Sequence, residues 1–310
     1  MHCHPLFRSH IYNNTFQSVF KHTPKLVLTA RISENTSSQS LRSFADWSAT
    51  QYLKFASQRN RPIKDLLAQI PLTKTPRRIV DLGCGPGNST QALIERFPDA
   101  GTTISGLDNS PDMLTKARAS LPHIHFVQAD LSTWTPGPDE KDELDLLFSN
   151  AVFHWLRPDP VGHMARLLEA SKSGAVLAVQ VPDNYLEPSH VAMRETAAAG
   201  PWAAILEPLK PALDPMPSPR VIYDRLSGLC APGGLDVWHT FYYHVLDGPE
   251  EIVEWVKGSG LRPFIDPLEK EMREEFLKKY TERIAEVYPR LADGKVLLRY
   301  PRLFVVAVRK

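Results

Sequence analysis

At 310 residues, 43% hydrophobic and 23% charged, the chain has the size and composition of one large globular domain or of a domain with a sizeable insertion. A net charge of +1 gives no reason to expect nucleic acid as a partner, and no apolar run approaches the roughly 20 residues of a membrane span. Cys3, Cys84 and Cys230, odd in number and far apart, argue against a disulfide framework or a zinc knuckle, so no metal is expected.

Residues 1–43 hold one acid, Glu34, against Arg8, Lys21, Lys25, Arg31 and Arg42, and their hydrophobic periodicity is poor. Such a leader reads either as a mitochondrial transit peptide or as a disordered extension without an address, and the scattered His2, His4, His10 and His22 suit the first poorly. The expected location is therefore cytoplasmic, with mitochondrial as the alternative. The folded domain is expected to span 44–310.

From Asp46 to Ile70 a helical pair is expected. Trp47, Tyr52 and Phe55 give one apolar face, and Leu66, Leu67 and Ile70 give another on a second helix after Pro62. Arg59 and Arg61 would fall at the junction, either as solvated charges or beside a crevice.

Ile79-Val80-Asp81-Leu82 then reads as a short buried strand. Gly83, Gly85 and Gly87 make a tight turn after it, with Cys84 as a small spacer, and a helix leaves at Asn88. Glycine is needed where backbone bends sharply or lies against a ligand, and a strand, a glycine turn and a helix N-terminus form a nucleotide-type cradle. A dinucleotide fingerprint would need glycine where Asn88 stands, which weakens an oxidoreductase reading. The G-x-G-x-G turn preceded by Asp81 resembles the first motif of the class I S-adenosylmethionine-dependent methyltransferases. The next strand should end in an acid for the ribose hydroxyls, and Asp108 stands there at the spacing expected.

Strands at 79–82, 102–107, 124–128, 144–149 and 174–181 alternate with helices at 88–97, 111–120 and 159–171. This predicts an α/β fold, a mostly parallel sheet whose ligands bind beyond the carboxyl ends of its strands. Asp108, Asp130 and Asn150 all fall at such ends. The resemblance implies a cofactor set of Asp81, Gly83, Gly85, Gly87, Asp108, Asp130, Leu131 and Asn150, with Asp130 toward the adenine amino group. A strand-end Asp is otherwise a turn cap.

The cofactor core is expected at about 75–185, with helical cap segments at about 186–235 and 247–295. A strand is expected from Trp238 to Val245. In a helix over 267–287, Leu268, Met272, Phe276, Tyr280 and Ile284 recur every four residues as a core stripe. The apolar run 303–308 would be a seventh strand, which suits the methyltransferase sheet, where the last strand inserts antiparallel. Arg262 and Arg302, each bracketed by turn residues and apolar groups, are candidate forks for carboxylates or else surface arginines. The prolines of a nucleic-acid base methylase are missing from Ser149-Asn150-Ala151-Val152-Phe153-His154-Trp155, and the near-neutral charge agrees.

Trp47-Ser48-Ala49-Thr50-Gln51-Tyr52, Arg59-Asn60-Arg61-Pro62, Val181-Pro182-Asp183-Asn184-Tyr185 with His190, Gly260-Leu261-Arg262-Pro263 and Tyr300-Pro301-Arg302-Leu303-Phe304 together resemble the trans-aconitate 2-methyltransferase family. The resemblance runs from about residue 46 to the C-terminus, and its later motifs lie outside the generic cofactor fold. The chain departs from the family's bacterial pattern in its leader, near 208–219, and at Phe153-His154. The family implies S-adenosyl-L-methionine as cofactor and a small carboxylic acid as partner, esterified to a monomethyl ester. Substrate contacts would come from Arg262, Arg302, Arg59 and Arg61. No catalytic acid or base is expected, His154 and Trp155 would wall the transfer zone, and a monomer is the working expectation. The alternatives are the same fold methylating another di- or tricarboxylic acid, and a cofactor-binding assembly factor without catalysis.

Overall fold

The computed structural model describes residues 55–137 and 141–310. The expected leader and the first helix of the N-terminal pair, with Trp47 and Tyr52, lie outside these residues.

Five strands pair in parallel or lead the sheet: β1 (Arg78–Leu82), β2 (Thr103–Asp108), β3 (His125–Gln128), β4 (Leu144–Asn150) and β5 (Val176–Pro182). Two long strands complete it, β6 (Cys230–Leu246) and β7 (Val296–Arg309), in the order β3-β2-β1-β4-β5-β7-β6. β7 lies between β5 and β6 and is antiparallel to both. The expected seven-stranded, mostly parallel α/β sheet is thus present.

Alternate residues feed opposite faces, as the two-residue strand period requires. Val80, Leu82, Leu147, Val179 and Val305 pack with α4 (Pro160–Glu169) and α7 (Pro219–Leu226). Ile79, Leu146, Phe148, Ala178 and Phe304 pack on the other face with α1 (Ala56–Ala68) and α2 (Asn88–Arg96). α3 (Pro111–Ser120) starts with Pro111 at its first turn and Ser110 accepting the Met113 N–H. This fits proline's fixed φ and a hydroxyl N-cap.

A further core gathers α5 (Pro188–Ala199), the short α6 (Ala203–Leu206), α8 (Pro249–Lys257), the short α9 (Arg262–Ile265) and α10 (Lys270–Val287). Trp202, Trp255, Phe276, Tyr280 and Ile284 fill it. The stripe expected on the last helix is therefore core. Tyr280 Oη donates to the Ser189 carbonyl at 2.9 Å, and the Ser189 N–H donates to Tyr288 Oη at 3.2 Å. These bonds tie α10 to the start of α5.

Three expectations are corrected. α1 runs through Pro62 without a junction, so Arg59 and Arg61 share one helix. A proline inside a helix costs about 3 kcal/mol, while burying Ile63, Leu66 and Leu67 gains roughly 1.5–3 kcal/mol each. The second cap helix starts at Lys270, not 267. β6 starts at Cys230 and β7 at Val296, earlier than 238 and 303: residues 230–237 pair along the part of β7 that also pairs with β5, and residues 296–301 pair with 241–246 as a ribbon that continues past the end of β5. Residues 230–235 and Arg302 therefore belong to the sheet rather than to a cap or a turn.

Candidate active site

The strand order places the candidate cofactor residues in sequence along one rim: Asp130 after β3, Asp108 ending β2, the glycine turn after β1, and Asn150 ending β4. The order reverses between β1 and β4, the position where open α/β sheets leave a crevice. Gly83 and Cys84 both donate to the Leu107 carbonyl, at 2.7 and 2.9 Å, which pins the turn to the neighbouring strand. Gly83 has φ +70°, and a Cβ on it would stand 2.3 Å from Val152 Cγ2. Gly85 has φ +55°, and a Cβ on it would meet no protein atom within 4 Å. The first glycine is required by packing, whereas the second turns bare backbone toward open space.

Asp81 is fully buried, and its Oδ2 accepts from Ser89 and Thr90 at 2.7 Å each. Its Oδ1 has no partner among the described residues. Burial pushes its carboxyl up to about 6, against the pull of those two hydroxyls. Asp108 Oδ2 accepts from the Gly85 N–H and Oδ1 from the Ser110 N–H, both at 2.9 Å. Asp130 Oδ1 accepts from the Ser132 N–H at 2.8 Å, heading a turn whose Leu131 is buried. Cys84 is buried and its thiol is pushed far up by that burial, as suits a spacer.

Beyond β4 the rim opens into a cleft of about 630 Å³, counting the solvent at its mouth. His154 and Trp155, in a 3₁₀ turn after β4, line it with Asp183, Tyr185, His190, Arg194 and Tyr300. Asp183 pairs with His239 Nε2 at 2.8 Å, and Arg194 donates to the Tyr185 carbonyl while lying 3.8 Å from its ring. His154 is half-buried in this wall, and the desolvation there lowers its pKa to about 3, with Arg302 next in effect. Burial likewise holds His190 at about 4, helped by Arg194. Both rings are neutral at pH 7.

Of the four candidate substrate arginines, three converge. His244 on β6 is lowered to about 4 by burial and then by Arg302, Arg61 and Arg59. Each guanidinium also lies over an aromatic ring: Arg59 over Trp255 at 5.2 Å, Arg61 over Tyr242 at 5.1 Å, Arg302 over Tyr300 at 4.8 Å. Tyr300 belongs both to this cluster and to the cleft wall. Arg302 and Arg59 are buried, and Arg61 is exposed, 4.0 Å from Asp65. Arg262 does not join them. It opens α9 and forms an ion pair with Asp266 at 3.0 Å, contrary to the expectation of acid-free surroundings.

The residues that sequence reasoning passed over are Gln180, Arg194 and His244. Gln180 carried a signal, as the one polar side chain inside the apolar run Val176-Leu177-Ala178-Val179-Gln180-Val181. Among the described residues no three His, Cys, Asp or Glu side chains group as a metal ion would need, and no helix is long and apolar enough to cross a membrane.

Residues 79–174 match the family model described as a methyltransferase domain. Over 265 residues the chain is 54% identical to trans-aconitate 2-methyltransferase of Rhodopseudomonas palustris strain BisB18, covering 86% of this chain and 100% of the relative. The enzyme of that name from Rhizobium rhizogenes is 52% identical over 264 residues, 85% of this chain and 99% of the relative. The chain belongs to the trans-aconitate 2-methyltransferase family. Among solved structures, YcgJ of Bacillus subtilis superposes with a TM-score of 0.50 at 13% identity, over 80% of this chain and 97% of that one, a likeness of fold alone. For a trans-aconitate 2-methyltransferase family member, the methyltransferase domain thus covers β1 to the end of α4, while β6, β7 and the helices around the cleft lie outside it.

Proposed function

We propose that this enzyme transfers a methyl group from S-adenosylmethionine to one carboxylate of trans-aconitate, forming a monomethyl ester. The observation that carries the reading is that Arg59, Arg61 and Arg302 lie over Trp255, Tyr242 and Tyr300, the three rings that neighbour His244, with Tyr300 also in the cleft wall and Arg302 paired with Pro182 at the end of β5.

The rim suits the cofactor. Gly85 faces open space, the Asp108 carboxylate is oriented at the end of β2 by the Gly85 and Ser110 N–H groups, and Asp81 Oδ1 is a buried acceptor without a partner among the described residues. Gly83, Gly85, Gly87, Asp81, Asp108, Asp130, Leu131 and Asn150 would hold it. When bound, S-adenosylmethionine supplies an electrophilic methyl on a sulfonium.

The residues beyond β4 would hold the acid. A carboxylate is already ionised at pH 7, so no side chain has to remove a proton, and catalysis is mainly positioning, with the reacting atoms brought within about 3–3.5 Å. Guanidinium forks suit the non-reacting carboxylates of a tricarboxylate. An arginine on the reacting oxygen would lower its nucleophilicity, so the wall nearest that oxygen should be uncharged. Neutral His154 and Trp155 meet this requirement.

Calorimetric titration tests the reading. Protein saturated with S-adenosylhomocysteine should bind trans-aconitate at a single site and a monocarboxylate such as crotonate at least tenfold more weakly. Equal affinity for both would reject a site built from several cationic forks.

A further inference from the structure

Gln180 is wholly inaccessible to water near the end of β5, in register with Asn150 on β4 and Phe304 on β7. Its side chain therefore shares a sheet face with Asn150 and with Arg302, two residues from Phe304. Arg302 Nη1 lies 3.2 Å from Gln180 Oε1. A guanidinium can only donate, so the amide atom facing it must be the oxygen, and the NH2 group points the other way. That Nε2 has no partner among the described residues. A buried amide donor left unsatisfied costs about 1–3 kcal/mol, which makes an orphan at this place a sign of a missing acceptor.

We infer that the Gln180 NH2 group receives a carboxylate oxygen of the bound acid, with Arg302 fixing the amide's orientation so that only donors face the ligand. The inference rests on the carboxyl-methylation reading above. Its chemistry follows from the neighbours. Arg302, bonded to the amide, brings a guanidinium charge to the position, so an anionic acceptor matches it, whereas a cationic or donor-rich group does not. Asn150 Oδ1, the adjacent buried atom without a partner, is an acceptor and so separates the two ends of the rim by hydrogen-bond sense. The donor side belongs with the acid, and the acceptor side with the cofactor end. Gln180 would thus be a specificity-determining residue, reading a carboxylate where an amide or ester offers less negative charge.

The cofactor also carries a carboxylate, and the test separates the two sources. Gln180→Glu keeps the shape and an acceptor for Arg302 but places a carboxylate opposite a carboxylate. Gln180→Met keeps the volume and removes the donor. The expected result is a KM for trans-aconitate raised about 10-fold in Gln180→Met and about 100-fold in Gln180→Glu, with the Kd of S-adenosylmethionine within twofold of wild type in both. A merely structural amide predicts the opposite order, since Gln180→Glu preserves the Arg302 contact and Gln180→Met does not. Loss of cofactor affinity in step with KM would assign the amide to the cofactor's carboxylate and overturn the inference, as would an unchanged KM in Gln180→Glu. Wild-type protein that methylates no carboxylic acid would instead overturn the function, a result visible before any variant is measured.

Discussion

Asp108 Oδ2 accepts the Gly85 backbone N–H at 2.9 Å, joining the end of β2 to the glycine turn of β1 through one carboxylate. The acid expected to meet a ribose is therefore also a brace for the turn beneath it. Asp108→Asn should weaken S-adenosylmethionine binding by about 10- to 100-fold, the range of one or two charge-assisted hydrogen bonds, and should lower the melting temperature slightly. Calorimetry with S-adenosylhomocysteine and a thermal melt check both parts.

The glycines of that turn should separate by mechanism. Gly85→Ala adds a methyl in open space at φ +55°, so the protein should fold with a loss of roughly 1–2 kcal/mol and bind cofactor at least tenfold more weakly. Gly83→Ala forces a methyl against Val152 and should destabilise more than Gly85→Ala. Thermal melts of the two variants, read beside their cofactor Kd values, would show whether packing and ligand contact divide in this way.

Arg302→Lys keeps charge but loses the planar fork, and should raise the KM for trans-aconitate on the order of 10-fold with little change in cofactor Kd. Arg262→Ala removes the partner of Asp266 on its own short helix and should alter the KM less than threefold. A larger effect from Arg262 than from Arg302 would return the fork to the position that the sequence motif suggested.

Acid stability follows from buried groups of opposite sign. His154, His190 and His244 have folded pKa values near 3, 4 and 4, below the ordinary histidine value of 6.5. The unfolded chain takes up their protons first, so their contribution to stability is full above pH 6.5 and falls as pH drops toward 4. Asp81, raised to about 6, acts the other way, adding stability below its unfolded value of 3.8 that is lost as pH rises through 6. Near pH 5 these four groups should leave unfolding with a net uptake of about two protons. The slope of stability against pH from denaturant titrations at pH 4.5–6.5 measures that number.

Much of the cofactor half was legible because its signals are local. Glycines at alternate positions, an acid at a strand end and regular β/α alternation are each confined to a few residues, and the sheet assembled from them places Asp130, Asp108 and Asn150 on one rim. The acid-binding half was harder because its geometry comes from pairing across long separations. Pro301 reads as a turn, yet it lies within β7, where pairing with β5 ends at Arg302↔Pro182 and the missing N–H has one fewer neighbour to serve. Cys230 to Val237 was hidden by Gly233 and Gly234 at an irregularity in the ladder and by partners some 70 residues away. Arg59 and Arg61 were seen, but their meeting with Arg302 needed α1 to run through Pro62.

The most direct measurement is transfer of labelled methyl from S-adenosylmethionine to trans-aconitate, cis-aconitate, isopropylmalate and a no-acid control, with the product treated with base. The account predicts base-labile label on trans-aconitate at least tenfold above every other acid. Cofactor binding confirmed by calorimetry but no label on any acid would contradict it.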